Sequence, residues 1–150
     1  MKCLDMLKFL VNQGVDFMKI DNLKQTPLYY AARQGHLTII RVLVENGINV
    51  NHIDIYGQNA IYYAVSNGRY EAVKLLKELG SELDHVDDNK QTPIYYAIKH
   101  NKLDVMRYLL ENNININNSD SKSHKPINFA IRHNKPEARD LLVQFGAKLP

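Results

Sequence analysis

The chain writes nearly the same eleven residues twice: QTPLYYAARQG from Gln25 to Gly35, and QTPIYYAIKHN from Gln91 to Asn101. A related stretch, GQNAIYYAVSNG from Gly57 to Gly68, falls midway between them, so the period is 33 residues. A fourth, weaker copy, HKPINFAIRHN, runs from His124 to Asn134. Self-similarity at a fixed period of this size marks units too small to bury their own apolar faces; each is covered by its neighbour, and the fold grows by stacking.

Each unit opens on an aspartate, at Asp21, Asp54, Asp87 and Asp120. Two apolar patterns follow, separated by breaks. The first break falls at Gly35, Gly68, Asn101 and Asn134, and the second at Gly47, Gly80, Asn113 and Gly146. Glycine and asparagine enter the left-handed conformation that ends helices more readily than other residues do. The pattern predicts two short helices per unit. Thr26 and Thr92 are placed to cap the first helix, and Pro27, Pro93 and Pro126 follow at its first position, where proline forfeits no hydrogen bond. That helix is expected over about residues 27–34 and their equivalents. The second carries apolar residues at helical spacing, such as Leu37, Ile40, Leu43 and Val44, or Leu103, Met106, Leu109 and Leu110. The residues around NVNHIDIYGQ suit an extended turn between units.

The remaining composition narrows the function classes. With 150 residues and 45% apolar content, the chain reads as one folded domain. No apolar run approaches the ~20 residues that span a bilayer. Asp5 and Lys8 interrupt the initial apolar stretch, which a secretory leader would keep uncharged. Cys3 is the only cysteine, so no intrachain disulfide and no cysteine-based zinc site can form. An intracellular location, cytoplasmic or nuclear, is expected. The net charge of +3 is too small to argue for nucleic acid by itself.

The unit resembles the ankyrin repeat, whose T-P-L-H-x-A signature stands here as TPLYYA from Thr26, NAIYYA from Asn59, TPIYYA from Thr92 and KPINFA from Lys125. The later family pattern is matched by GHLTIIRVLVENGINVN from Gly35 to Asn51. The resemblance implies an all-α solenoid of helix-turn-helix repeats joined by β-hairpin-like turns, in a single domain. Residues 1–20 are expected to form half a repeat, with CLDMLKFLVNQGVDF aligned to a second helix. Residues 21–53, 54–86, 87–119 and 120–150 form the four repeats. The chain is expected to begin inside a longer array or a larger protein. Three departures stand out. Tyr29, Tyr62 and Tyr95 occupy the family's histidine position. Lys24, Lys90 and Ser123 replace a turn glycine that Gly57 keeps, which puts the hairpin shape in question. In the last repeat Arg139 stands where Ile40 and Met106 are apolar, as suits a terminal unit with a wet outer face.

In this family the turns and first helices line a concave groove that binds other proteins. The resemblance therefore points to Leu23, Gln25, Arg33, Ile55, Tyr56, Gln58, Ser66, Asn89, Gln91, Lys99, Lys122 and Arg132 as partner-binding residues. Leu23, Ile55 and Tyr56 form an apolar step on adjacent tips. Lys24, Arg33, Lys90, Lys99, Lys122, Lys125 and Arg132 fall on the same side, whereas Glu45, Glu71, Glu78 and Glu111 fall on second helices. Charge of one sign in a groove favours an oppositely charged partner, so an acidic protein or peptide is expected, met by a monomer. A solvated face without a ligand is the competing reading. The tyrosine pairs 29–30, 62–63 and 95–96 raise a methyl-lysine cage, against which core packing and a basic groove both weigh. Single-strand nucleic acid needs exposed aromatics, and here the aromatics are expected inside. The six histidines show no ligand spacing, and no Ser/His/Asp pattern or phosphate-cradling loop occurs. No catalysis, cofactor or metal is expected. The alternative is a targeting or regulatory segment of a larger enzyme, with methyl-lysine reading in chromatin as one form of it.

Overall fold

Two left-handed residues cut each unit. In the computed structural model, which describes Asp5, Lys8, Phe9, residues 12–14 and residues 16–150, φ is positive at all eight expected break positions. The main chain closes behind seven of the eight breaks, all but Asn113. The His36 N–H donates to the Ala31 carbonyl at 3.0 Å, and the Ile48 N–H to the Leu43 carbonyl at 3.2 Å, satisfying acceptors that a helix end leaves free. Of the half repeat expected over residues 1–20, residues 1–4, 6, 7, 10, 11 and 15 lie outside the described residues.

Between the breaks lie α1 (Pro27–Gln34), α2 (Leu37–Glu45), α3 (Ala60–Ser66), α4 (Tyr70–Glu78), α5 (Pro93–Lys99), α6 (Leu103–Glu111), α7 (Pro126–Arg132) and α8 (Pro136–Gln144). Successive first helices, α1, α3, α5 and α7, pack side by side in one layer; α2, α4, α6 and α8 form the second layer. The shared walls are periodic too. Leu28, Ile61, Ile94 and Ile127 are buried at one slot of the first helices, and Ala31, Ala64, Ala97 and Ala130 at another. Ile40, Val73 and Met106 are fully enclosed in the second layer. Each large aliphatic side chain taken from water contributes about 1.5–3 kcal/mol. In α8 that slot passes to Arg139, which is only partly covered and pairs with Asp140 at 2.7 Å.

Two expectations need correction. Thr26 and Thr92 occupy cap positions with extended backbones, but neither hydroxyl makes a cap bond. The carbonyls of Thr26 and Thr92 already take the N–H groups of Tyr29 and Tyr95, each at 3.1 Å. Both hydroxyls end up buried without a partner. The turns, by contrast, keep one shape despite the missing glycines: Lys24, Lys90 and Ser123 adopt φ of 57°, 56° and 63°, beside 71° at Gly57. Non-glycine residues are held left-handed there, at a cost of about 1–2 kcal/mol each.

These turns are held by main-chain bonds and by the carboxylate of the opening aspartate. The Asp54 N–H donates to the Gln58 carbonyl at 2.9 Å, and the Gly57 N–H returns to the Asp54 carbonyl at 3.1 Å. The same pair of bonds closes the turns at Asp21, Asp87 and Asp120. No strand forms among the described residues, so the connections are hairpin turns without a sheet. Adjacent turn tips are bonded to each other: Ile55 N–H to the Leu23 carbonyl at 3.0 Å, Asp88 N–H to the Tyr56 carbonyl at 3.1 Å, and Ser121 N–H to the Asn89 carbonyl at 2.8 Å. Among the described residues no helix is long and apolar enough to cross a membrane.

Candidate functional site

The turn tips and the inner helices meet over a repeated polar network. Asp54 Oδ1 accepts the N–H groups of Tyr56 at 2.9 Å and Gln58 at 3.0 Å. Its Oδ2 accepts the Tyr63 hydroxyl at 2.6 Å and, from the preceding repeat, the Gln25 side-chain amide at 2.9 Å. The same amide reaches the Tyr63 oxygen at 2.8 Å. One repeat further on, Asp87 plays the part of Asp54: Tyr96 donates at 2.6 Å and Gln58 at 2.9 Å. These two junctions are thus each closed by an amide, a carboxylate and a phenol.

A second row of phenols runs beneath the first. The Tyr29 hydroxyl lies within hydrogen-bond reach of the His52 and Gln58 carbonyls, the latter at 2.8 Å. Tyr62 and Tyr95 reach across to the next turns in the same way, to Gln91 at 2.8 Å and His124 at 2.7 Å. The phenol therefore spans neighbouring units from the histidine position of the resemblance. Imidazoles have moved to a different slot. His52 Nε2 lies 2.7 Å from the Lys24 carbonyl and His85 Nε2 lies 2.8 Å from the Gly57 carbonyl; since a carbonyl only accepts, each Nε2 carries the proton. These two histidines are 33 residues apart, a phase that inspection for metal-ligand spacing passes over.

Burial, then the Asp54 and Asp87 carboxylates, push Tyr29 and Tyr62 far above the ordinary phenol range. Tyr63 and Tyr96 are raised by burial and by the hydrogen bonds they give to Asp54 and Asp87. The Tyr30 hydroxyl and the turn N–H groups hold Asp21 low. Burial alone would raise Asp120, but the His124 and Lys122 N–H groups and the Gln91 amide outweigh it and leave it below the usual value. These shifts favour neutral phenols at Tyr29, Tyr62, Tyr63 and Tyr96 and ionised carboxylates at Asp21 and Asp120.

A family model described as ankyrin repeats (three copies) matches residues 2–87 and again residues 76–149. The chain belongs to the ankyrin-repeat family. A comparison with curated proteins finds no match. Ankyrin repeats are in general protein-interaction modules, and this array presents its tips on a bonded frame.

The frame and the free surface divide the twelve sequence-derived positions. Gln25 and Gln58 are not available at the surface: they are 2% and 8% exposed, spent on the carboxylate and phenol of the next repeat. Gln91 is half-buried in the same slot. Ser66 turns its hydroxyl back on the Tyr62 carbonyl at 2.7 Å. The Arg33 guanidinium stands 4.9 Å from the Tyr63 ring centre and 5.5 Å from that of Tyr30, a cation–π contact within the ankyrin array itself. One ring from each of the first two tyrosine pairs, Tyr30 and Tyr63, is thus occupied by the protein's own cation. Leu23, Ile55, Tyr56, Asn89, Lys99, Lys122 and Arg132 are all exposed.

Sequence reasoning missed an apolar row. Ile20, Ile53 and Val86 each immediately precede the turn aspartate, and each is about half exposed. Their 33-residue phase was legible, but alternation in a turn does not say which side faces water. The hydrogen bonds between tips place Leu23 beside Ile55, so the first two tips carry an apolar surface. The later tips carry Asp88, Asn89, Ser121 and Lys122. Among the described residues no cluster of three or more His, Cys, Asp or Glu side chains is placed to hold a metal ion.

Proposed function

We propose that this ankyrin array binds a partner protein through its turn tips and inner helices, without catalysis, and that the partner is acidic. The observation that carries the reading is the repeat-phased exposure of Ile20, Leu23, Ile53, Ile55, Tyr56 and Val86 on tips locked to one another by main-chain bonds. Neighbouring apolar side chains left in water on a rigid frame are what a contact surface consists of. The frame is ordered by folding, so association carries little further ordering cost. Exposed Lys24, Lys90, Lys99, Lys122, Lys125 and Arg132 flank this surface, and Glu45, Glu71, Glu78 and Glu111 are exposed on the second helices. The second helices also expose Arg41, Lys77 and Arg107, and the tips expose Asp88; it is the excess of exposed cations on the turn side that supports an acidic partner, drawn in by the local field.

The test is affinity capture from cells that make the protein, comparing wild type with two folded surface variants. One is Leu23→Ser with Ile55→Ser and Tyr56→Ser; the other is Lys99→Glu with Lys122→Glu and Arg132→Glu. A partner retained by wild type and lost by both supports the face and its sign. Retention of every partner by both variants, with unchanged circular dichroism, removes the reading. Loss with the apolar set alone keeps the face and removes the acidic partner.

A further inference from the structure

The polar network is interrupted at its last junction. At the first two junctions the amide, carboxylate and phenol converge. At the third, Phe129 stands where Tyr63 and Tyr96 stand, and has no hydroxyl to give. The ring itself is in register: Tyr95–Phe129 ring centres lie 5.3 Å apart at 78°, beside 5.3 Å and 79° for Tyr62–Tyr96. With the oxygen missing, the Gln91 amide is left 3.5 Å from Asp120 Oδ2, against 2.9 Å at both earlier junctions. A hollow of about 370 Å³ opens there, walled by Asn89, Gln91, Asp120, Lys122, Phe129 and Arg132.

The polarity of this hollow is one-sided. Lys122 and Arg132 bring basic side chains to its rim, and the Gln91 amide is a donor stretched from its acceptor. His124 and His133 also line it. His133 lies on the Phe129 ring, with centres 4.1 Å apart, and extends the apolar floor. The single acid, Asp120, has its Oδ1 occupied by the Lys122 and His124 N–H groups, both at 2.9 Å. His124 Nδ1 stands 3.6 Å from its Oδ2. Two basic side chains thus face one acidic side chain that is already bonded. Asn89 and Lys122 belong to the tips, so the hollow is continuous with the proposed binding face.

We propose that this hollow receives the side-chain carboxylate of a glutamate or aspartate on the bound partner. The carboxylate sits between Lys122 and Arg132, and the Gln91 amide donates to it as the Gln25 and Gln58 amides donate to Asp54 and Asp87 in the frame. The acidic residue lies toward the fourth repeat while apolar residues of the partner cover Leu23, Ile55 and Tyr56. The partner segment therefore runs in one direction along the array. This rests on the protein-binding reading and adds the chemistry and position of one contact.

The test is a nitrogen–proton correlation titration of the full chain with acetyl-Gly-Glu-Gly-amide and with its Gln counterpart. Expected are saturating shifts at Ser121, Lys122, His124, Phe129, Arg132 and His133, with the Glu peptide bound about fivefold more tightly than the Gln peptide, the order of one or two partly exposed charge pairs. Lys122→Ser with Arg132→Ser removes that preference. Phe129→Tyr, which restores the missing hydroxyl to Gln91 and Asp120, weakens the Glu peptide while keeping the fold. Equal titration by the two peptides overturns the proposal, as do shifts spread evenly to Lys24 and Lys99. A thymidine oligonucleotide that binds the same residues more tightly than the Glu peptide also overturns it, in favour of nucleic acid. If the hollow fails but capture still depends on Leu23, Ile55 and Tyr56, the face stands and only this contact falls.

Discussion

Tyr96→Phe removes one oxygen from the second junction, and Phe129→Tyr adds one to the third, so the pair measures the polar network from both sides. In the folded chain the Tyr96 hydroxyl donates to Asp87 at 2.6 Å and receives the Gln58 amide at 2.7 Å. A hydrogen bond to a charged group contributes about 1.5–3 kcal/mol. Asp87 keeps the Gln58 amide and two turn N–H groups, and the site is partly open to water, so the lower half of that range applies. The expected loss is about 2 kcal/mol, or about 4–8 °C in Tm for a domain of this size. Phe129→Tyr should raise Tm by about 2–4 °C, for a gain of about 1 kcal/mol, because the ring is already placed and only the hydroxyl is new. Thermal unfolding followed by circular dichroism, with urea midpoints alongside, reads both. A shift below about 1 °C for Tyr96→Phe, or a fall in Tm for Phe129→Tyr, would refute the account of the junctions; 1 °C is well under the change of one typical hydrogen bond.

The repeats also correct one another. Asn59 is fully buried with neither side-chain polar atom partnered, where two sister units carry threonine, and Ala60 stands where the other three carry proline. The extended backbone at Asn59, φ −91° and ψ 176°, is the one a following proline requires; Asn59→Thr with Ala60→Pro should stabilise by about 1–2 kcal/mol in urea unfolding. Lys90→Gly should stabilise by about 0.5–1 kcal/mol, the left-handed strain released less the entropy glycine loses. Gly57→Ala should destabilise, since a Cβ there would fall 2.6 Å from Asp88 Oδ1; equal effects of these two changes would contradict the turn geometry. Tyr29, Tyr62, Tyr63, Tyr95 and Tyr96 have folded pKa values raised above the ordinary ~10. Their contribution to stability is whole below pH ~10 and is lost as pH rises toward the folded values. In an alkaline titration, phenolate absorbance from these five should appear together with loss of helix signal, not before it.

Periodicity made the fold legible. Eight positions holding only glycine or asparagine state where helices stop, because the left-handed conformation that ends a helix is a property of one residue at a time. The division of the candidate site was harder to see. Gln25 and Gln58 sit at tip positions, polar and in phase, and read as surface. They are buried because their amides reach Asp54 and Asp87, partners that lie 29 residues away and a repeat over. The same holds for Arg33, whose place over Tyr63 depends on how α1 packs on α3. Contacts between units are set by stacking distance, and one unit's residue pattern carries no measure of it. The interruption at Phe129 was visible as a lost tyrosine, but its meaning needed the oxygen it lacks to be located between Gln91 and Asp120.

The bonds from Leu23 to Ile55, from Tyr56 to Asp88 and from Asn89 to Ser121 use peptide groups alone. These bonds between neighbouring fingers do not depend on which side chains the fingertips carry. Residues at those fingertips can therefore be exchanged over generations for almost any others while the ruler beneath keeps its spacing, which leaves such a molecule able to change its clientele without renegotiating its architecture.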